Sequence, residues 1–565
     1  MNYLHNIGSY FLMIAEMFRK PTKWSVMKLL ILKDIEDLII GSLGIVAFIS
    51  FFVGGVVVDQ MRFEYLNRFK NKYSSQGFLR LINQGYSCNN HHFNYIPTIT
   101  GPGHASIFSG TTPSVHGIIG NDWYDKIKQK TVYCTTDDKY HTIGAEAKYG
   151  KVAPTNLKVT TVADQNRIFT QMRGKTIGVS IKDRGAVFPS GHTANGAYWF
   201  EGLNEGKWVT SSYYMDKLPQ WVTEFNASSN ISNYLKTWNT YYDIKSYLES
   251  GPDNSNYEKG FNGKTSPVFP YDLKELMGYN EGYDIIKTSP FGNTMTTDFA
   301  FSAIEAEDLG DDEFTDFLTI SYSSTDYVGH DFGLSSVELQ DTYLRLDLEI
   351  ERLLIYLDKN VGEGNYTLFL TADHGAAEVP AYLSDINVPG SNIGKDDFSP
   401  LFDAMKVKYG VSDLINNISN NQVFLNQERI LSLQLNPEEV QKFVVNKIID
   451  YPFISNAYTA SAMQSNYFNS GLSMLLQNGY NQKLSGDILF ALQPGVIVYG
   501  PKGTTHGSGY SYDTHVPLLF YGNKIKKGVS YEPTNVTDIA PTISALLGIS
   551  FPSGATGSII ERVIN

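Results

Sequence analysis

Short, β-rich apolar runs recur along this chain, and most of them stop at aspartate or histidine. A first run closes at Val56-Val-Val58 and is followed by Asp59. A second, Phe317 to Tyr322, leads into Ser323-Ser-Thr-Asp-Tyr-Val-Gly-His330, which carries Asp326 and His330. A third, Asn365 to Thr371, leads into Thr371-Ala-Asp-His-Gly375, with Asp373 and His374. A fourth, Gly495 to Tyr499, precedes His506 in Thr504-Thr-His-Gly507, and Pro517 to Tyr521 is a fifth run. Helical signals lie between them. Ser335 and Glu338 form a capping box ahead of a periodic segment that runs to about Lys359. Thr537 caps a segment from Asp538 to Leu547, which Gly548 closes. Alternation of this kind predicts an α/β sheet. Functional sites in open α/β sheets form outside the carboxyl ends of the strands. The three aspartates and three histidines are therefore expected to converge on one rim. Imidazole and carboxylate are zinc ligands, and catalytic zinc sites keep a coordination position open. Any one of these residues is weak evidence, because an aspartate after a strand is commonly a turn or cap residue. Four strand ends that all carry ligand chemistry are a much tighter constraint.

Thr100 stands apart from that set, in Pro97-Thr-Ile-Thr-Gly-Pro-Gly-His104. Pro102 suits the first turn of a helix and Gly110 its end. Thr100 then sits at the helix entrance, where free backbone N–H groups and the positive dipole end favour an anion. It is either a plain helix cap or a metal-activated nucleophile, and the ligand set tips the balance to the second. Gly174 to Ile181 reads as a further strand, followed by Lys182 and Arg184. Side chains two apart on an extended segment point the same way, so both cations would grip one phosphate dianion. A solvated pair at a strand end is the commoner meaning of that pattern.

Bulk properties narrow the field further. Hydrophobic residues make up 42% of the 565 residues and charged residues 18%, enough for a large core. The net charge of −13 argues against a nucleic-acid backbone as the main partner, and leaves room for a small anionic substrate at a locally cationic site. Cys88 and Cys134 have no zinc-type spacing, so a single disulfide and two free thiols fit equally. Residues 190–295 are rich in Tyr, Trp, Asn, Ser and Gly with weak periodicity, and read as an inserted, loop-rich cap; a second insertion is expected over about 400–490. Leu38 to Val58 is free of charge for 21 residues, long enough to span a bilayer. If Asp59 is a ligand, Phe52 to Val58 is a buried strand, and the 14 residues Leu38 to Phe51 fit the apolar part of a signal peptide. Lys28 and Lys33 precede them as a signal requires, although Asp34, Glu36 and Asp37 intrude and a small-residue cleavage site is missing. Residues 1–51 are expected to be a signal-like or membrane-associated segment, with 52–565 as the catalytic domain. Export to the periplasm is the expectation, with a membrane-tethered form as its variant.

Six blocks in order carry a family resemblance: Val57-Val-Asp-Gln-Met-Arg62, the Thr-x-Pro-Gly-His element, His116-Gly-Ile-Ile-Gly-Asn-Asp-Trp-Tyr-Asp125, Ser323 to His330, Thr371 to Gly375, and Gly503-Thr-Thr-His506. From about residue 52 onward the chain resembles the alkaline phosphatase superfamily, and most closely the monomeric PafA-type enzymes with a threonine nucleophile. The resemblance implies an alkaline-phosphatase-like central, mostly parallel sheet flanked by helices, and a monomer. It implies two zinc ions, one held by Asp326, His330 and His506 and the other by Asp59, Asp373, His374 and Thr100. It also implies that Asn121, Lys182 and Arg184 bind phosphate. The activity implied is hydrolysis of small phosphate monoesters through a phospho-threonine. A phosphodiesterase or nucleotide pyrophosphatase of the same superfamily is the runner-up, disfavoured by the two cations. A sulfatase would need C-x-P-x-R, which neither cysteine begins. A non-catalytic scaffold would have lost ligands, and none is missing.

Overall fold

The computed structural model describes residues 52–564 apart from 149, 204 and 228–230. The expectations for residues 1–51 lie outside the described residues. Ten strands form the central sheet. Numbered within it along the chain, they are β1 (Phe52–Val58), β2 (Tyr86–Cys88), β3 (Thr142–Ile143), β4 (Thr176–Ser180), β5 (Gly196–Glu201), β6 (Lys207–Ser211), β7 (Asp316–Tyr322), β8 (Tyr366–Thr371), β9 (Leu518–Gly522) and β10 (Gly528–Ser530). Their order in space is β10-β2-β9-β8-β1-β7-β4-β5-β6-β3. The five strands β8, β1, β7, β4 and β5 run parallel side by side at the centre. Antiparallel pairings of β9 with β8 and of β6 with β5 flank them. This is the α/β, mostly parallel architecture expected.

The central strands are buried along their whole length. Strands covered on both faces read as unbroken apolar runs instead of an alternating pattern, which is why β1, β7 and β8 were visible in the sequence. β1 contains two glycines. A Cβ on Gly55 would lie 3.0 Å from the rings of Phe108 and Phe369. The missing side chain lets helix α1 (Thr100–Ser109) settle directly on the middle of the sheet. Helices α2 (Asp183–Ser190), α3 (Pro290–Ala306), α4 (Ser324–Phe332) and α5 (Val337–Leu357) complete the elements used below. α5 is capped by Ser336, whose hydroxyl accepts from Leu339 N–H at 3.1 Å, and not by Ser335.

Two further expectations need correction. The run Gly495 to Tyr499 is not a strand of this sheet: only Val496–Ile497 is extended, paired with Ser391–Asn392. Within 190–295, the residues of β5 and β6 belong to the central sheet; they are buried on both faces and show no alternation to find. Beyond α5, four antiparallel strands (Ile415–Ser419, Gln422–Leu425, Ile488–Leu492 and Ile454–Thr459) pack with helices Ser399–Tyr409 and Pro437–Ile448 around a hydrophobic core of their own.

Candidate active site

Three neighbouring strands deliver their carboxyl ends to one place. β1 runs out at Val58, and Asp59 continues the ladder by donating its N–H to Tyr322 O of β7 at 3.0 Å. Its carboxylate is fully buried, and Oδ1 has no hydrogen bond. After β7 the chain enters α4, where Asp326 and His330 lie one turn apart on one face, with Oδ1 and Nε2 3.2 Å apart. After β8 come Asp373 and His374. His374 Nε2 is 3.5 Å from both Asp59 Oδ1 and Asp373 Oδ2. His506 arrives on a loop and not from a strand of the sheet, and its Nε2 is 3.7 Å from Asp326 Oδ1. Asp513 fixes that loop by accepting the N–H groups of Gly507 and Ser508 at 3.1 and 2.7 Å. The His374 and His506 rings stack with centroids 3.5 Å apart.

The donor atoms fall into two groups that share Asp326: Asp326, His330 and His506, and Asp59, Asp326 and His374. The first matches the expected set. In the second, Asp326 stands where the resemblance implied Asp373. Asp373 is still at hand, with a buried Oδ2 that lacks a hydrogen bond.

Each histidine has its Nδ1 beside a backbone carbonyl: His330 on Thr504 O at 2.7 Å, His506 on Thr98 O at 2.8 Å and His374 on Gly375 O at 2.9 Å. A carbonyl only accepts, so Nδ1 carries a proton in each, and it is Nε2 that faces the centre, where it presents a lone pair once the ring is neutral. That is the tautomer a metal ligand needs. Burial, and then the Asp373 charge, push Asp59 up to about 8. Burial works against the charged form of Asp326 too, but His330 and Lys182 outweigh it and hold this carboxyl well below the usual range. Burial and the adjoining His374 and His330 push His506 well below the ordinary imidazole value, so it is neutral. Oriented lone pairs, orphaned buried carboxylate oxygens and an excess of negative charge fit divalent cations.

Thr100 is the first residue of α1 and not its cap; Ile99, extended, holds the cap position. The Thr100 hydroxyl is buried and lies 3.4 Å from His374 Nε2. Gly101 N–H, the next donor of the helix entrance, binds Asn121 Oδ1 at 2.7 Å. An Nδ2 in that place would face another donor, so the Asn121 amide N–H groups turn away from the helix. Lys182 and Arg184 do not project side by side. Only Lys182 is extended; α2 begins at Asp183, and the helical turn swings Arg184 away. Lys182 Nζ is buried between Asp59 Oδ2, at 2.7 Å, and Asp326 Oδ2. Arg184 Nη1 donates to Tyr133 Oη at 3.0 Å, and Tyr133 donates to Asp183 at 2.6 Å. Both cations nevertheless line one cleft of about 540 Å³ with His330. A second cleft, of about 680 Å³, runs from His330, His506 and Asn121 in the other direction.

Gln60, His104 and Tyr133 support the site without standing out in the sequence. Gln60 Nε2 donates to Asp326 Oδ1 at 2.7 Å and its backbone N–H to Asp373 Oδ1 at 3.1 Å. His104 Nδ1 is 2.9 Å from Thr100 O and 3.3 Å from Asp373 Oδ2. The four-residue spacing of Thr100 and His104 on one helix was the available signal for the latter.

Carboxylates and imidazoles gathered at the carboxyl rim of a parallel sheet, beside a helix-borne threonine, are the marks of a hydrolase class built for charged oxyanion esters. The family model for type I phosphodiesterase / nucleotide pyrophosphatase matches residues 53–516, and the chain belongs to this family of the alkaline phosphatase superfamily. It is 43% identical over 517 residues to alkaline phosphatase PafA of Elizabethkingia meningoseptica, covering 91% of this chain and 94% of that one. It is also 43% identical over 521 residues to a protein of Myroides odoratus named calcium-transporting ATPase, covering 91% and 94%. The crystal structure of wild-type PafA matches with a TM-score of 0.88 at 42% identity, over 91% of this chain and 99% of that one.

Proposed function

We propose that this chain hydrolyses phosphate monoesters with two zinc ions and a phospho-threonine intermediate at Thr100. The observation that carries the reading is the Thr100 hydroxyl, buried at a helix N-terminus and 3.4 Å from the metal-facing nitrogen of His374. Asp59, Asp373, His374 and Thr100 Oγ1 would hold one zinc, which would supply Lewis acidity to the attacking hydroxyl, and Asp326, His330 and His506 would hold the other, which would do the same for the departing ester oxygen. Thr100 Oγ1 attacks phosphorus, the ester oxygen leaves as the alcohol, and water then displaces the threonine to release inorganic phosphate. Asn121 Nδ2, Lys182 and Arg184 hold the non-bridging oxygens. A monoester dianion carries one more negative charge than a diester, so two cations that line one cleft favour it. Substituting Thr100→Ala is expected to abolish hydrolysis of an aryl phosphate while zinc content, measured by elemental analysis, stays near wild type. Full activity in that variant would overturn the assignment.

The matched family's description also favours a second reading, hydrolysis of phosphodiesters. Arg184→Ala separates the two. On the monoester reading it lowers kcat/KM for an aryl phosphate monoester by ~10-fold or more and spares the matching diester; equal losses favour the diesterase. We extend the proposal to an exported, periplasmic monomer acting on diverse small phosphate esters. Residues 52–565 are its catalytic domain, and 1–51 a signal-like or membrane-associated lead. Among the described residues no helix is long and apolar enough to cross a membrane.

A further inference from the structure

The two clefts that meet at His330 differ in chemistry. The smaller one holds Lys182 and Arg184 among other charged groups. The larger, about 680 Å³, starts at His506 and Asn121 and is walled by Phe398, Phe402, Ile415, Ile418, Phe490 and Leu492. Phe398 and Phe490 tilt against each other with centroids 5.7 Å apart. These side chains belong to the hydrophobic core of the antiparallel sheet, whose edge the cleft lays open beside the reaction centre. Charge is confined to the margins: Asp122 and Lys395 are exposed, and Asp513 is engaged with the Gly507 and Ser508 amides. The mouth is framed by the 415–425 hairpin, whose tip residue Asn420 donates to Asp122 O, next to Asn121.

A phosphate group alone leaves this space unused. On the reading above, the non-bridging oxygens face Asn121, Lys182 and Arg184 where the two clefts meet, and the ester oxygen departs on the side of His330 and His506. We propose that the larger cleft is a leaving-group subsite for the alcohol part of the ester, and that it selects uncharged, bulky apolar or aromatic alcohols over small or charged ones. The inference rests on the phosphomonoesterase reading. An apolar group that enters the cleft leaves water for a wall of phenylalanine and aliphatic side chains. An additional charge on the alcohol would lose hydration against that wall, because Asp122 and Lys395 stand at the margins and the hairpin opposite offers only neutral amides such as Asn417 and Asn420.

Ethyl phosphate and 2-(1-naphthyl)ethyl phosphate test this, because both release a primary alcohol and differ in the apolar group alone. In the wild-type, zinc-loaded enzyme kcat/KM for the naphthyl ester is expected to be ~10-fold or more above that for the ethyl ester. Phe402→Ala, which removes part of the wall, and Ile418→Asp, which puts a charge into it, should each lower that ratio ~10-fold. Equal kcat/KM for the two esters in the wild type would overturn the subsite, as would a ratio that survives both substitutions. Because the comparison is a ratio within one preparation, a poorly folding variant does not imitate the result, and the wild-type ratio needs no variant. Failure to turn over either ester would instead overturn the phosphomonoesterase reading itself.

Discussion

Gln60 is fully buried with a φ of +67°, a left-handed conformation that costs a residue with a side chain on the order of 1 kcal/mol. What holds it there is on both sides of its peptide. Its N–H reaches Asp373 and its amide reaches Asp326, so one residue fixes carboxylates from two different strand ends. Gly329 makes room for it, since a Cβ at that position would collide with Gln60 Oε1. Groups that orient ligands in this way commonly set metal affinity. Gln60→Ala is expected to weaken zinc binding by ~10–100-fold in a chelator competition and to recover activity in excess zinc; unchanged affinity would leave Gln60 a purely structural residue. At this scale the sequence shows ligand types well and their partners poorly. Asp59, His330 and His374 announce themselves by residue type and place, whereas Gln60 acts through a backbone angle that no composition reveals. Lys182 and Arg184 read as a pair in the sequence, but α2 begins between them and redirects the second side chain.

Helix α1 contains two glycines in its first turn and is buried along its whole length, a poor sequence for an isolated helix. Its position explains the composition. A Cβ on Gly103 would land on the backbone carbonyl of Asp373, so the helix touches the segment after β8 at that point. The contact sets how far Thr100 stands from His374. Gly103→Ala must push the two apart, and backbone cannot yield as a flexible side chain does. Displacement of a reacting group by about 1 Å costs ~100-fold in rate, so kcat is expected to fall by about that factor with far-ultraviolet circular dichroism preserved. Retention of wild-type kcat would show that the helix tolerates the shift. Elements buried in this manner divide by how they can be read. β1, β7 and β8 stand out as apolar runs, and α1 by its Pro102 and Gly110 borders. β5 and β6 are hidden in an aromatic-rich stretch without periodicity. Val496–Ile497 looks like a core strand but pairs outside the sheet, because a short apolar run does not say which sheet receives it.

Across the molecule, the parallel strands act as a frame that brings like charges together. Asp59, Asp326 and Asp373 are all buried at one rim with one lysine among them, and folding without metal has to accommodate that. The consequence is a defined pH dependence. In the metal-free protein Asp59 is raised from 3.8 to about 8 by burial and Asp373. Between these values the native state keeps a proton that the unfolded chain has released, so its stability falls as pH rises. His330, raised from 6.5 by Asp326 against its burial, contributes the same sign above that pH. His506, lowered from 6.5, acts in the opposite sense, but only below that value. From about pH 6.5 to about pH 8, therefore, the metal-free protein loses stability through these groups. On the proposed reading, bound zinc would keep Asp59 ionised and His330 neutral throughout and so remove the loss, and metal affinity itself would increase as the competing protons leave. At zinc concentrations far above the dissociation constant the melting temperature should exceed that of the chelated protein by roughly 5–10 °C. Scanning fluorimetry at about pH 6.5 and about pH 8 should show this gap widening with pH. A gap that narrows toward the higher pH would mean that Asp59 is already ionised without metal, and that Lys182 alone neutralises the rim.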